Sequence, residues 1–258
     1  MIKEIIKYRD LLTMLTLRDI RIRYKQAAMG FLWALFMPLV AVLAGILIKK
    51  AMSVVSGKPL DTVGVIAIAV KVLPWTFFVS GLKFSVQTLV SNQNLVTKIY
   101  FPRAVLPLAA ILACLFDLAV AMVVLSALLV VFKIGASVHL LWVPLILVFL
   151  IAFTAGLGIL LSAANLFYRD VKYIVEVILM FGIFFTPVFF EAGAFGEWGK
   201  YLLLNPVGSL LESLTQAVVY HHAPDLGWLS YAGICSLLML WWGIKIFEAK
   251  EPYFAENI

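Results

Sequence analysis

Long apolar stretches recur along this 258-residue chain, and they limit its possible folds more than any other feature. Hydrophobic residues make up 64% of the sequence and charged residues only 13%. Soluble domains contain about 45–50% apolar and about 25% charged residues, so this composition cannot supply a water-exposed surface. A bilayer core of about 30 Å is crossed by roughly 20 apolar residues in one helix. The sequence therefore predicts an all-α integral membrane protein.

Six of these stretches are long enough to form transmembrane helices. They occupy residues 30–48, 63–90, 104–132, 138–164, 171–190 and 226–247. Pro74 lies in the second stretch and removes one backbone hydrogen bond, so we expect that span to be long, tilted or broken. In the fourth stretch Gly156 has small residues at four-residue spacing, which indicates close helix packing. We predict one six-helix transmembrane domain over residues 30–258.

The N-terminal residues 1–29 form a separate basic segment. They contain seven Lys or Arg and three acidic residues, and the charges continue too far along the chain for a signal peptide. Apolar residues recur near helical spacing, which predicts an amphipathic helix in the membrane interface. An ordinary basic tail that obeys the positive-inside rule would explain the same charges.

The distribution of basic residues predicts the topology. With a cytoplasmic N-terminus, the inner segments hold 13 Lys or Arg and the outer segments hold five. The positive-inside rule then puts both termini in the cytoplasm, together with residues 92–103. That polar and aromatic run is longer than a hairpin turn needs, so we expect a short helix that a partner outside the membrane contacts. On the outer side, leucines and valines within residues 191–225 repeat at helical spacing and predict two short re-entrant helices.

Motifs for nucleotide or metal chemistry do not occur in the sequence. It contains no G-x-x-x-x-G-K-[ST] phosphate loop and no Cys or His spacing that fits a metal site. The adjacent His221 and His222 would point apart on a helix. The basic residues flank apolar spans, which favours contact with membrane lipids and not with nucleic acid. We expect no metal and no cofactor in this chain.

Asp117 is the ionisable residue placed deepest in a predicted span. It lies about 20 Å along the third span, where an unpaired carboxylate is costly. The carboxylate would face a water-filled path or form a structural hydrogen bond within the bundle. Lys83 is one candidate partner, although its side chain would also reach the membrane surface.

Aromatic residues concentrate in the first, second and fifth spans. Phe181, Phe185 and Phe189 follow one another at four-residue steps and would share one helix face. Such a face would stack against sugar rings, whereas aromatic enrichment at membrane interfaces explains the same composition. The predicted substrate path consists of Phe31, Trp33, Phe36, Phe181, Phe185 and Phe189.

Four local motifs occur in a fixed order along the chain. They are GFLWALFMP at 30–38, NLVTKIYFPR at 94–103, NLFYRDV at 165–171 and LNP at 204–206. Together they resemble the permease subunit of ABC-2-type exporters, in particular those that export O-antigen and related polysaccharides. The resemblance implies a homodimer of this chain bound to two copies of a separate ATPase subunit, which would hold ATP and Mg. This chain would be a transport subunit, not an enzyme, in the inner (cytoplasmic) membrane.

The resemblance also implies roles for particular residues. The cytoplasmic helix between the second and third spans would couple to the ATPase through Asn92, Asn94, Lys98, Tyr100, Phe101 and Arg103. The N-terminal helix would help to admit a polysaccharide carried on polyprenyl pyrophosphate. The basic residues that would attract the pyrophosphate are Arg18, Arg21, Arg23 and Lys25. Anchoring of the segment to the inner leaflet explains the same four residues equally well. The re-entrant helices would close the outer end.

Other functions remain open at this point. Within the family, the cargo could be capsule polymer, teichoic acid or a small hydrophobic molecule. An ion-coupled secondary transporter would need several buried carboxylates or paired broken helices. A transferase acting on polyprenyl phosphates would need clustered aspartates for Mg²⁺, whereas Asp170 stands alone beside Arg169.

Overall fold

The computed structural model describes residues 2–25, 29–30, 32–56 and 62–256, and within these ranges the chain forms helices and turns without a strand. The α-helices are α1 Ile2–Lys7, α2 Arg9–Tyr24, α3 Leu32–Ser56, α4 Thr62–Ser91, α5 Gln93–Lys98, α6 Val105–Val131, α7 Trp142–Phe167, α8 Val171–Gly182, α9 Gly199–Leu203, α10 Pro206–Val218 and α11 Leu226–Lys250. Three 3₁₀ helices cover Val138–Leu141, Ala192–Trp198 and Glu251–Glu256. The all-α prediction is confirmed for the described residues.

Within the described part of the chain, five helical segments are long and apolar enough to cross a membrane. They are Leu32–Ala51, Val63–Ser91, Val105–Val131, Val138–Phe167 and Leu226–Phe254. These segments coincide with the first four predicted spans and with the sixth. A multi-pass membrane protein is therefore confirmed.

The fifth predicted span, residues 171–190, is not a single helix. α8 has 12 residues, and at about 1.5 Å per residue it is far shorter than a bilayer core of about 30 Å. Pro187 cannot donate a backbone hydrogen bond, and it disfavours helical backbone at Thr186. The Thr186 hydroxyl donates to the carbonyl of Gly182 at 2.7 Å, so the last carbonyl of α8 has a hydrogen-bond donor close by in the chain. The prediction of a full-length helix here is wrong.

The central element of the bundle is α4. It is one continuous helix of 30 residues that includes Pro74, so the second span is long and is not broken. α3, α6, α7 and α10 all pack against it, and residues 66–73 are consequently buried. Phe78 of α4 stacks on Phe153 of α7 with ring centroids 6.1 Å apart.

The bundle has two ends that differ in composition. The Arg103 end holds residues 92–103, the turn at 168–170 and the C-terminal 3₁₀ helix. Phe254 of that 3₁₀ helix lies 5.8 Å from the ring of Phe167 at the end of α7. The opposite end, called the Asn205 end, holds the turns and short helices of residues 183–205. α10 begins there and contacts the 3₁₀ helix that precedes α7.

α7 and α11 approach each other at backbone contact. A Cβ atom on Gly156 would lie 2.5 Å from the Cα atom of Leu240, and one on Gly243 would overlap the carbonyl oxygen of Gly156. Small residues at both positions allow this approach, as they do in many membrane helix pairs. The predicted close packing at Gly156 is confirmed, and its partner is α11.

We predict that Gly156→Ala separates α7 from α11. The added methyl group meets backbone atoms that cannot rotate away, so we expect a loss of at least about 2 kcal/mol in the free energy of unfolding. Denaturant unfolding of the purified protein in detergent measures this loss. Gly193→Ala is the matched control, because nothing lies within 4 Å of a Cβ at Gly193. Equal stability of the two variants would contradict the prediction.

Candidate functional site

The predicted helix at residues 92–103 is only partly helical. α5 covers Gln93–Lys98, and Ile99 is already in extended backbone with φ −125° and ψ 135°. Pro102 disfavours helical backbone at Phe101, so the helix could not have continued through the whole segment. The segment is therefore one short helix followed by an extended turn that leads into α6.

The two aromatic residues of this segment occupy opposite environments. Tyr100 is 93% exposed, whereas Phe101 is only 6% exposed. Phe101 belongs to a buried cluster at the Arg103 end that includes Val96 of α5 and Val105 of α6. The pair was expected to act as one contact for a partner. In the structure, Tyr100 projects outward and Phe101 fastens the segment to the bundle.

Hydrogen bonds hold the two ends of the segment in place. Asn92 donates from Nδ2 to the carbonyl of Thr88 at 2.8 Å. Arg103 donates from its backbone N–H to Oε1 of Glu251 at 2.8 Å, and from Nη1 to the carbonyl of Glu251 at 2.5 Å. Of the six residues predicted to contact a partner, Asn92, Phe101 and Arg103 hold the segment. The exposed ones are Asn94, Lys98 and Tyr100.

The N-terminal helix α2 packs along α6. Leu15 is buried in the same cluster as Phe101 and Val105. Two turns further along α2, Arg23 reaches Asp117 in the middle of α6. In the structure, the N-terminal segment forms the helices α1 and α2. Its position in the membrane interface stays a prediction, because the described contacts are with α6.

Asp117 is paired with the C-terminal end of α2. Arg23 Nη1 lies 2.6 Å from Asp117 Oδ2, and the Tyr24 hydroxyl donates to Asp117 Oδ1 at 2.5 Å. The Arg23 guanidinium also lies 4.1 Å from the centroid of the Phe84 ring. Burial, followed by the hydrogen bond to Asp117, raises the pKa of Tyr24, so the phenol keeps its proton and donates it. Lys83, the partner considered from the sequence, is exposed instead.

The basic residues predicted to attract an anion differ in whether a carboxylate is already paired with them. Arg18 pairs with its neighbour Asp19 at 2.9 Å. Arg21 and Lys25 are exposed. Arg23 is committed to Asp117 and is mostly enclosed by the bundle. The predicted anion-attracting group therefore consists of two exposed cations and two cations that already have carboxylate partners.

Two clefts meet at Arg23. One, of about 430 Å³, is lined mostly by residues with polar side chains and leads along α4 toward Asn92 past Arg18 and Thr88. The other, of about 580 Å³, is mostly apolar and lies between α3, α4 and α6. Trp33, Arg23 and Asp117 all line this second cleft. Arg23 therefore borders both clefts.

The aromatic residues predicted to line a path do not form one continuous stripe. Because α8 ends at Gly182, Phe185 and Phe189 do not continue the helix face that carries Phe181. Phe181 and Phe185 are exposed, whereas Phe189 packs against the core. In α3, the Trp33 and Phe36 rings meet edge to face with centroids 5.6 Å apart. Phe31 lies outside the described residues.

A different group of aromatic rings comes together at the Asn205 end. They line a cup of about 500 Å³ between the end of α8 and α9, formed by Phe184, Phe185, Phe190, Phe195, Trp198, Tyr201, Leu202 and Asn205. Phe190 and Phe195 are 4.9 Å apart in an edge-to-face pair. Asn205 accepts from the backbone N–H of Val207 and donates to the Thr186 hydroxyl, which fixes one wall. The sequence did not predict this cup, because its rings are brought together by turns.

A second buried ion pair lies near the Asn205 end and was also missed. Lys71 of α4 is 1% exposed and lies 2.6 Å from Oε2 of Glu212 in α10. Lys71 also donates to the carbonyl of Phe190 at 3.0 Å, and Glu191 beside it accepts from the Tyr220 hydroxyl. A lysine within an apolar span indicates an acidic partner elsewhere in the chain, although the sequence does not say which one.

The described residues contain no cluster of His, Cys, Asp and Glu that would hold a metal ion.

We predict that Asp117→Asn destabilises the protein. The variant leaves the Arg23 charge without a counter-charge, and we expect a loss of about 2 kcal/mol because the pair is partly open to solvent. Asp10→Asn is the matched control, since Asp10 and its partner Arg9 are both exposed and the cost is about 0.5 kcal/mol or less. Denaturant unfolding in detergent compares the two variants. A loss for Asp117→Asn no larger than that of its control would refute the assignment.

Comparison with known proteins connects this architecture to one family. The family model of the ABC-2 type transporter matches residues 10–219, which run from α2 through α10 and the residue after it. The matched region contains Tyr100, the Arg23–Asp117 pair, the Lys71–Glu212 pair and the aromatic cup.

Curated relatives match over nearly their whole length. The O-antigen export system permease protein RfbA of Myxococcus xanthus is 28% identical, with 100% of this chain and 99% of the relative covered. The protein of the same name from Klebsiella pneumoniae is 28% identical over 96% of this chain and 94% of the relative. The polysialic acid transport protein KpsM of Escherichia coli is 25% identical over 92% of both chains. Because the family model matches most of its length, the chain belongs to the ABC-2 type transporter family.

Proposed function

We propose that this chain is the permease subunit of an ABC exporter that moves a lipid-linked polysaccharide, such as O-antigen, across the inner membrane. The observation that carries the proposal is the full-length likeness to O-antigen export permeases within the ABC-2 family. Five membrane-length helices and an exposed segment between α4 and α6 support the same conclusion. The cargo would be a polymer on a polyprenyl pyrophosphate carrier.

Energy for export would come from a separate subunit. We propose a homodimer of this chain with two copies of a nucleotide-binding ATPase, which would hold ATP and Mg. The sequence lacks a phosphate loop, so a partner must supply one. The count of 13 inner and five outer basic residues supports cytoplasmic termini. The C-terminal 3₁₀ helix lies beside residues 99–103, which is consistent with a cytoplasmic location for both.

The ATPase would contact the exposed side of residues 93–100. Asn94, Lys98 and Tyr100 present polar and aromatic groups to the surroundings, whereas Phe101 and Arg103 attach the segment to α6 and the C-terminus. A segment held at its base and exposed at its tip transmits movement without detaching from the bundle. ATP-driven closure of the partner would then shift α6, which continues directly from Arg103.

We predict that Tyr100→Ala uncouples export from the ATPase. Exposed tyrosines at protein interfaces often contribute about 2 kcal/mol to binding, so we expect export to fall at least about tenfold. Surface polysaccharide is measured in cells that also express the partner ATPase. The amount of the permease in the membrane is expected to stay unchanged, because Tyr100 makes little contact with the bundle.

Phe101→Ala provides the contrast to this variant. Removal of a buried phenylalanine costs about 3 kcal/mol or more, so the permease itself should unfold more easily in detergent. Tyr100→Ala should keep the unfolding behaviour of the unchanged protein. Full export by Tyr100→Ala with the ATPase present would rule out the proposed contact.

The export path would begin at the two clefts beside Arg23. The cleft that Arg18 and Arg23 line suits the pyrophosphate, and the apolar cleft along α3 suits the polyprenyl chain. Arg21 and Lys25, which are exposed on the same segment, would attract the pyrophosphate from outside the cleft. Trp33 would border this entrance, and the ring of Phe36 packs edge to face against it. We propose that residues 171–190 make the remaining crossing, through α8 and the turns after it. The 191–225 segment would close the outer end as re-entrant helices.

Near the outer end, the aromatic cup would contact the sugars. Aromatic rings stack on the C–H faces of sugar rings without requiring a particular hydroxyl pattern, which suits a polymer that slides. Phe185 is one of the rings of the cup, and Phe181 is exposed at the end of α8, just before it in the chain. Trp198 is 74% exposed at the rim, so its ring is open to a passing chain.

We predict that Trp198→Ala slows export of the polymer. Loss of one stacked ring removes about 1 kcal/mol, which corresponds to about a fivefold change. Trp242→Ala is the matched control, because Trp242 is also exposed, at 58%, but lies on α11 away from the cup. Export is measured at equal membrane amounts of both variants. Equal rates for the two variants would exclude a role for the cup.

Capsule polymer is the second candidate cargo. The polysialic acid transport protein KpsM matches 92% of the chain, although at 25% identity. Complementation distinguishes the two, since the chain should restore O-antigen export in a strain without its O-antigen permease and not capsule export in a capsule mutant. An ion-coupled transporter is less favoured, because Asp117 and Glu212 are both paired with basic residues.

A further inference from the structure

The C-terminal 3₁₀ helix folds back onto the segment that would contact the ATPase. Glu251 accepts two hydrogen bonds from Arg103, one at its side-chain Oε1 and one at its backbone carbonyl. Nη2 of the same arginine donates to the carbonyl of Val96 in α5 at 3.4 Å. One arginine therefore joins three parts of the chain: α5, the start of α6 and the C-terminus.

Aromatic packing fixes the same helix from its other side. Phe254 is fully buried and lies 5.0 Å from the ring of Phe247 in α11 and 5.8 Å from that of Phe167 in α7. It belongs to the buried cluster that also contains Val96 and Phe101. The C-terminus is therefore packed into the base of the 92–103 segment and is continuous with α11.

Tyr100 stands where three parts of the chain meet. A cleft of about 560 Å³ is lined by residues of α1, by residues 99–103 and by residues 248–252. The exposed tyrosine lies at this cleft, so a partner that grips it also meets the end of α11. The sequence did not predict this arrangement, because residues 248–252 are far from residue 100 in the chain.

We propose that Glu251 is a positioning residue for coupling, and that the C-terminal helix is a second route by which the ATPase moves the bundle. This inference rests on the proposed function. A movement of Tyr100 reaches α6 through the covalent chain at Arg103, and it reaches α11 through Glu251 and Phe254. α11 contacts α7 at backbone distance through Gly156 and Gly243, so a shift of α11 shifts α7. Through these links, a force applied at Tyr100 would move α6, α7 and α11 together.

The test replaces Glu251 in the full chain, co-expressed and purified with its ATPase. Glu251→Ala removes the Oε1 acceptor but leaves the backbone carbonyl for Arg103. We expect the complex to assemble in unchanged amount and ATP hydrolysis to stay within about twofold, while polymer exported per ATP falls at least about fivefold. Glu251→Gln keeps an oxygen acceptor in the same position and should retain most of the coupling. Glu256→Ala, an exposed position in the same 3₁₀ helix, is the matched control and should export normally.

Each contrary result has a definite meaning. Normal export per ATP in Glu251→Ala would overturn the inference, and so would a glutamine variant as poor as the alanine variant. A parallel fall in complex yield, ATP hydrolysis and export would assign Glu251 a purely structural role and would also overturn it. Failure of the unchanged chain to export polymer with its ATPase would instead refute the proposed function.

Discussion

Charge buried among apolar helices must be neutralised, and two ion pairs that meet this requirement organise the bundle. Lys71 and Glu212 join α4 to α10, and Arg23 and Asp117 join α2 to α6. Each pair attaches a shorter helix to a membrane-length helix at one level along its axis. A lone charge at either position would carry a large desolvation cost, so the two pairs limit where the shorter helices can lie.

The arrangement of residues 92–103 meets a different requirement. A connection that would receive force from a partner, as proposed for these residues, must be held against the bundle at one end and exposed at the other. Phe101 and Arg103 meet the first condition, and Tyr100 meets the second. Tyr100 and Phe101 are neighbours in the chain, but one side chain is exposed and the other is buried, since extended backbone turns successive side chains to opposite sides.

Much of the fold could be predicted from the sequence, and the errors have physical causes. Five membrane-length segments were predicted because each is a local run of apolar residues. The fifth span failed because Pro187 and the Thr186 hydroxyl end α8 early, so the face shared by Phe181, Phe185 and Phe189 does not form. The aromatic cup replaces it, with rings that are brought together by turns whose geometry no helical period describes.

By itself, the sequence determined the membrane class, the helical architecture and the motifs that resemble ABC-2 permeases, because these depend on composition and on residues close together in the chain. Only the tertiary structure decided which charges pair, since Arg23 and Asp117 are 94 positions apart and Lys71 and Glu212 are 141. It also brought Glu251 to Arg103 across 148 positions. Side chains this distant meet only after the long helices pack, because packing sets their relative levels along the bundle.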